Sequence, residues 1–442
     1  KLLTEMRIFT SKFKETFGMF DNADIVFDKF KTKDGETVEL THGLYGVMLQ
    51  NPDRALRRKA YSSMFGAYKK YINTIAANYS GNVLKNVFSA RVRDYKSALD
   101  RALSSENVDS SVYDNLIASV EKGLPRLQDY VALRKKALGY KALHFYDMYA
   151  PIVGDADIRL EYEDAYALVK DALAPLGGEY TAMLDEAYKS RWIDVHESAN
   201  KRGGAYSTDA YGTHPYVLLN YQKTTHDVFT IAHEMGHAMH SYYSNKNQPY
   251  QKAGYEIFVA EVASTVNETL LLEYLLSRKE NDGQMKKYLL SYYLDMFRTT
   301  LFRQAMFAEF ERAAHEMGEK DIPINAQSLS EAYSALNKKY YGSGIVHDGL
   351  IECEWARIPH FYNAFYVYKY STGIISAVTI ADGILKNPET AVKAYKKFLS
   401  AGGSDSPVEI LKTAGVDLTK KQPFEAAMNV FSNVLKKLEE SL

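Results

Sequence analysis

Apolar residues recur at three- and four-residue spacing along most of the chain. In Ser110–Gly139, Val112, Leu116, Ile117 and Val120 mark one helical face, and the break near Gly123 to Pro125 predicts two consecutive helices. Similar patterns occupy Ala165–Leu176, Met285–Met317 and Glu425–Leu438, and only 11 prolines interrupt 442 residues, so the predicted architecture is mostly α. Two segments change period. Ile25–Leu40 has two extended runs around Asp34-Gly35, a hairpin signal. Gly203–Gln222 separates aromatic and β-branched runs with turn residues and predicts a small sheet just upstream of a histidine-rich run. No fixed-period repeat is found, and Ser400–Pro407 (SAGGSDSP) reads as a loop before a C-terminal helical subdomain.

The length allows two or three domains, or one large unit of two lobes. Hydrophobic residues at 46% and charged residues at 25% match a soluble globular composition. Lys plus Arg (54) nearly cancels Asp plus Glu (55), which argues against a nucleic-acid partner. The basic run Arg54–Tyr61 reads as a solvated helix face. A single cysteine, Cys353, excludes an internal disulfide framework, reads as a buried inert thiol and fits a reducing, cytoplasmic compartment. No window approaches 18 consecutive apolar residues, so no membrane span is expected. The opening KLLTEMRIFT has neither an initiator Met nor a signal-peptide pattern and reads as the interior of a protein, truncated or nicked.

Thr230–His240, TIAHEMGHAMH, carries the H-E-x-x-H pattern. On a helix His233 and His237 lie one turn apart on one face and can share an ion. Thr224 as N-cap with Asp227 three residues on, followed by Val228, Phe229, Ile231 and Ala232, predicts that helix. The plain alternative is two helix histidines that cap or pair with carboxylates. His240 faces nearly the same side as His233 but rises roughly 10.5 Å along the axis, too far to share the ion, and reads as packing or support.

A catalytic zinc usually takes three protein ligands and keeps one position open. The next predicted helix, Gly254–Leu276, offers Glu256, Glu261, Glu268 and Glu273. Glu261 is favoured because Ala260, Ala263 and Ser264 let two helices approach closely. Glu268 shares its face and either orients a ligand histidine or is an ordinary exposed carboxylate. Two imidazoles and one carboxylate would leave a divalent ion net positive, which suits metal-assisted hydrolysis. Glu234 is then placed to take the proton from water. Oxyanion donors are sought in Ile358–Gly373, where His360 is followed by Tyr362, Tyr366, Tyr368 and Tyr370; on one ideal helix His360 and Tyr368 lie within about 80°. An aromatic core stripe is the competing reading, in a chain with 35 tyrosines.

The segments KRGGAYSTDAYGTHPYVLLNYQ, DVFTIAHEMGHAMHSYYS, FVAEVASTVNE and EWARIPHFYNAFYVYKYSTG, in that order, resemble the oligoendopeptidase F branch of the thimet oligopeptidase and neurolysin family. The resemblance implies a mostly α, two-lobed, neurolysin-like helical zinc metallopeptidase with a deep substrate channel and a small sheet beside the HExxH helix. It implies one Zn2+ per chain on His233, His237 and Glu261, Glu234 as base, and a His360 and tyrosine segment closing over substrate. His360 and Tyr368 lead; Tyr362 and Tyr366 remain alternates, Tyr366 also as a substrate contact. It further implies a helical stretch preceding this chain, so 1–75 is expected to be part of an N-terminal helical domain with a hairpin, and 76–442 the catalytic domain. The missing N-terminal segment is then an expected partner. Oligopeptides are the expected substrates, the strand near Gly203, Gly204 and Ala205 pairing with their backbone. Competing functions are a zinc carboxypeptidase or dipeptidase and a non-catalytic peptide-binding protein.

Overall fold

The structure, a computed structural model, describes residues 10–154, 158–278 and 283–442. Its longer helices are α1 (Arg54–Lys70), α2 (Ile72–Arg91), α3 (Ser110–Ala137), α4 (Tyr162–Ala172), α5 (Gly178–Lys189), α6 (Thr225–Asn247), α7 (Ile257–Ser277), α8 (Gln284–Phe297), α9 (Arg303–Glu319), α10 (Ala326–Tyr341), α11 (Tyr368–Lys386), α12 (Pro388–Leu399) and α13 (Gln422–Ser441). Strands are few and short. The mostly α prediction therefore holds, and among the described residues no helix is long and apolar enough to cross a membrane.

The fold divides into two compact units, each assembled from separate stretches of chain: 10–105, 120–152 and 302–368 form the first, and 106–119, 153–301 and 369–442, over their described residues, form the second.

The first unit contains the predicted hairpin, β1 (Phe30–Lys31) with β2 (Thr37–Val38), antiparallel and turned through Gly35 at φ +83°. Its core is aromatic: Phe310 packs with Tyr79 and Phe361 at ring separations of 6.2 and 5.1 Å. The basic run at the start of α1 departs from its predicted solvated face. Arg57 is buried and, with Arg54, grips the fully buried carboxylate of Asp147, each at 2.8 Å. A carboxylate removed from water needs such cations, and sequence spacing does not reveal a partner 90 residues away.

The expected break at Gly123 to Pro125 is absent. α3 runs unbroken through Pro125. Proline costs a helix interior about 3 kcal/mol, and burial of Leu116, Ile117, Val120, Leu124, Leu127 and Val131 at helical spacing on either side offsets it.

In the second unit β3 (Ile193–Asp194) lies parallel to β5 (Tyr216–Leu218), and β4 (Tyr206–Thr208) lies antiparallel to β5, giving the order β3-β5-β4 with β4 at an edge. This is the small sheet expected upstream of the histidines. Gly203 and Gly204 fall in the bend before β4 rather than within it, Gly204 at φ +83°. α6 and α7 pack closely in this unit, and Phe297 at the end of α8 meets Phe431 of α13 at 5.5 Å.

Candidate metal centre

α6 begins where the sequence places it. The Thr224 hydroxyl accepts from the Asp227 N–H at 3.2 Å and the Asp227 carboxylate accepts from the Thr224 N–H at 2.9 Å, a reciprocal cap that satisfies two of the first-turn donors. Two turns on, the helix presents His233, Glu234 and His237. α7 meets this stretch with unusual closeness because residue 236 is glycine: a Cβ there would lie 2.5 Å from the Ser264 Cα and 2.6 Å from the Ala263 carbonyl oxygen. Asn267, fully buried on α7, donates to the Ala232 carbonyl at 3.0 Å and accepts from the Tyr180 hydroxyl at 3.0 Å, fixing the register of the two helices.

That register brings Glu261 to the histidines. His233 Nε2 and His237 Nε2 are 3.2 Å apart, and Glu261 Oε2 lies 3.6 and 3.7 Å from them. One donor atom from each of the three residues lies within 4.8 Å of the others, the arrangement expected of a shared cation. Tetrahedral coordination at bonds of about 2.05 Å separates two nitrogens by about 3.3 Å. The donor set therefore fits a small divalent ion with imidazole and carboxylate affinity.

Neighbours prepare the ligands. Glu268 is hydrogen-bonded to His233 Nδ1, which leaves Nε2 facing Glu261. Burial opposes charge on His233, but Glu268, with Glu234 and Glu261, raises its pKa to about 9. Burial and the charge of His233 push His237 down to about 3, against an opposing hydrogen bond to the Ala260 backbone. Glu234 is buried, and desolvation raises its pKa to about 7; His233 opposes this, Glu261 and Glu268 reinforce it, and a hydrogen bond from the Ser207 backbone of β4 lowers it.

A cavity of about 450 Å³ opens on this group, lined by Gly204, Ala205, Asn220, His233, Glu234 and Tyr292 among others. Asn220 donates to the carbonyls of Arg202 and Gly204 at 3.0 and 2.8 Å, holding the bend before β4. Gly203 has open space where a side chain would stand.

His360, Tyr362, Tyr366 and Tyr368 belong to the other unit. They do not share one helix, as the 80° argument required: His360 and Tyr362 lie in a 3-10 turn, Pro359–Tyr362, the chain passes through Phe365 at φ +55°, and α11 starts only at Tyr368. Burial, with the charges of Arg303 and Lys14, holds the His360 imidazole below its ordinary pKa. Tyr366 stacks on His360 at 5.9 Å. Tyr362 stacks on Phe17 at 4.6 Å and its hydroxyl accepts from Asn78 at 3.2 Å, while Tyr368 is buried. His240 lies flat on Tyr255 at 3.7 Å and is fully buried, a packing role.

The sequence reading missed Gly236, Asn267 and the Ser207 backbone. The glycine inside HEMGH was the available signal, because an interior helix glycine costs about 1 kcal/mol and calls for a packing reason.

Comparison with known proteins shows the family. The profile of peptidase family M3 matches residues 47–430. Oligopeptidase PepF of Bacillus subtilis is 46% identical over 441 residues, covering 100% of this chain and 66% of that protein. An oligoendopeptidase F homolog of Lactococcus lactis subsp. lactis is 40% identical, covering 96% of this chain and 70% of its own length. The crystal structure of oligoendopeptidase-F from Enterococcus faecium superposes with a TM-score of 0.83 at 37% identity, covering 100% of this chain and 73% of that one. The chain thus spans about two thirds of the Bacillus relative.

Proposed function

The chain belongs to peptidase family M3, and from that premise we propose that it is a zinc-dependent endopeptidase that hydrolyses internal bonds of short, unfolded oligopeptides. The observation that carries the reading is the convergence of His233 Nε2, His237 Nε2 and Glu261 Oε2 beside the buried carboxylate of Glu234. Relatives carrying the name oligoendopeptidase F support the substrate class.

A bound zinc ion would supply Lewis acidity, polarising the scissile carbonyl and acidifying water. The chain's own groups do the rest. Glu234, with a pKa raised to about 7, exchanges a proton near neutrality: it takes one from water and returns it to the departing amine. Glu268 holds the His233 ring so that its Nε2 stays directed at the ligand group. The edge of β4 accepts the peptide backbone as an added strand, and Gly203, Gly204 and Ala205 leave its approach clear.

The test is cleavage of an internally quenched, end-blocked peptide of about ten residues by the chain, before and after chelation and with zinc restored. Internal cleavage that disappears with chelator and returns with zinc is expected, and Glu234→Gln should keep zinc and lose turnover. A blocked peptide left intact while free-ended peptides are trimmed would replace this reading with an exopeptidase.

A further inference from the structure

We infer that Asp209 is a positioning residue that clamps the edge strand β4 to the helix bearing His233 and His237, and so sets the line along which a peptide backbone pairs beside Glu234. The inference rests on the peptidase reading above.

His237, Ser241 and Asn245 recur at four-residue spacing and form one stripe of α6. The last two grip one carboxylate. Ser241 Oγ donates to Asp209 Oδ1 at 3.1 Å, and Asn245 Nδ2 donates to Asp209 Oδ2 at 2.7 Å. Asp209 is the residue that follows β4, so both of its oxygens tie the end of that strand to the helix. The strand itself packs against the same helix, and Ala205 just before it lines one cavity with Glu234. That packing sets the distance of β4 from α6, and the grip on Asp209 at the strand's end adds the fixed point that sets its direction.

Ser241 extends the clamp. Its hydroxyl lies 3.0 Å from the Tyr255 hydroxyl, and Tyr255 stacks on His240 just before α7, the helix that carries Glu261. Strand end, histidine helix and the entrance to the Glu261 helix therefore meet at one serine. A peptide added at the edge of β4 gains backbone hydrogen bonds in proportion to the length it pairs, so errors in strand direction accumulate with distance from the cleaved bond. Asp209 should then matter most for long substrates.

The experiment compares steady-state cleavage of a four-residue and a ten-residue end-blocked peptide by the zinc-loaded 442-residue chain and its Asp209→Ala variant. The expected result is a KM for the longer peptide raised roughly 5- to 30-fold, the equivalent of one or two kcal/mol, with kcat, zinc stoichiometry and the KM of the shorter peptide close to wild type. Asp209→Asn, which keeps an acceptor oxygen, should recover part of the loss, and Asn245→Ala should reproduce part of it. Equal losses on both peptides with a lowered Tm would reduce Asp209 to a structural residue and overturn the inference; so would an unchanged KM on both. A wild-type chain that cleaves neither peptide overturns the peptidase reading, and this inference with it.

Discussion

Gly236 and Ser264 stand so close that a single methyl group cannot be placed between their helices: a Cβ on residue 236 would lie 2.5 Å from the Ser264 Cα. The obstacle is backbone, which cannot rotate aside. Gly236→Ala must therefore push α7 away from α6 and carry Glu261 with it. Overpacking of this kind costs about 1–3 kcal/mol. The expected outcome is a lower thermal midpoint together with weaker zinc binding, read by calorimetry and by competition with a chromophoric chelator.

Removing Glu268 tests the support of the histidine rather than the ligand itself. Glu268→Ala frees the His233 ring to turn and removes the charge that directs Nε2 toward Glu261. Loss of such a supporting carboxylate typically costs 10–100-fold in metal affinity. A competition titration that gives wild-type affinity for the variant would show that helix packing alone orients the ring.

Metal uptake should depend on pH. With its pKa raised to about 9, His233 carries a proton near neutrality in the metal-free protein, and an ion can bind only by displacing it. Apparent affinity should then rise with pH, about tenfold per unit, until pH passes about 9. The same shift gives the sign for stability: protonated His233 contributes fully below its unfolded value of about 6.5, and the contribution is lost as pH rises through about 9. Titration calorimetry in two buffers of different ionisation enthalpy counts the released protons.

A buried histidine of the other unit pulls the other way. His315 Nδ1 donates to the Glu311 carbonyl at 2.8 Å and its Nε2 accepts from Asn86 at 3.1 Å, so the neutral ring is satisfied, and burial holds its pKa near 4. Its folded pKa lies below the unfolded one, so its stabilisation is present above about pH 6.5 and is lost as pH falls toward 4. The urea midpoint should drop between pH 7 and 5, and the drop should be shallower in His315→Gln.

Asp147 offers a check on the fold. Its buried carboxylate is shared by Arg54 and Arg57, and Asp147→Ala leaves the buried Arg57 without its counter-charge. Breaking a buried pair in this way costs about 3–5 kcal/mol. A denaturant midpoint within experimental error of wild type would contradict the structural account of that cluster.

The parts legible in advance share one property: their geometry is local. The one-turn spacing of His233 and His237 is fixed by helical rise, the Thr224 cap by three residues of chain, and the hairpin by Asp34-Gly35. The small residues Ala260, Ala263 and Ser264 singled out Glu261 for the same reason, because side-chain size along one helix is read directly. Reading failed where a local rule met a distant neighbour. Pro125 suggested a break that packing overrides, and Arg57 looked solvated although its partner lies 90 residues on.

What the sequence determined by itself was therefore the helical architecture, the small sheet and the pair of histidines one turn apart, since each follows from backbone period and composition within a few turns. Only the tertiary structure decided that Glu268 meets the Nδ1 of His233, that Gly236 permits the helix contact and that β4 ends under the grip of Ser241 and Asn245. Those relationships depend on how far apart two elements come to rest, and that distance is set by all the side chains between them at once.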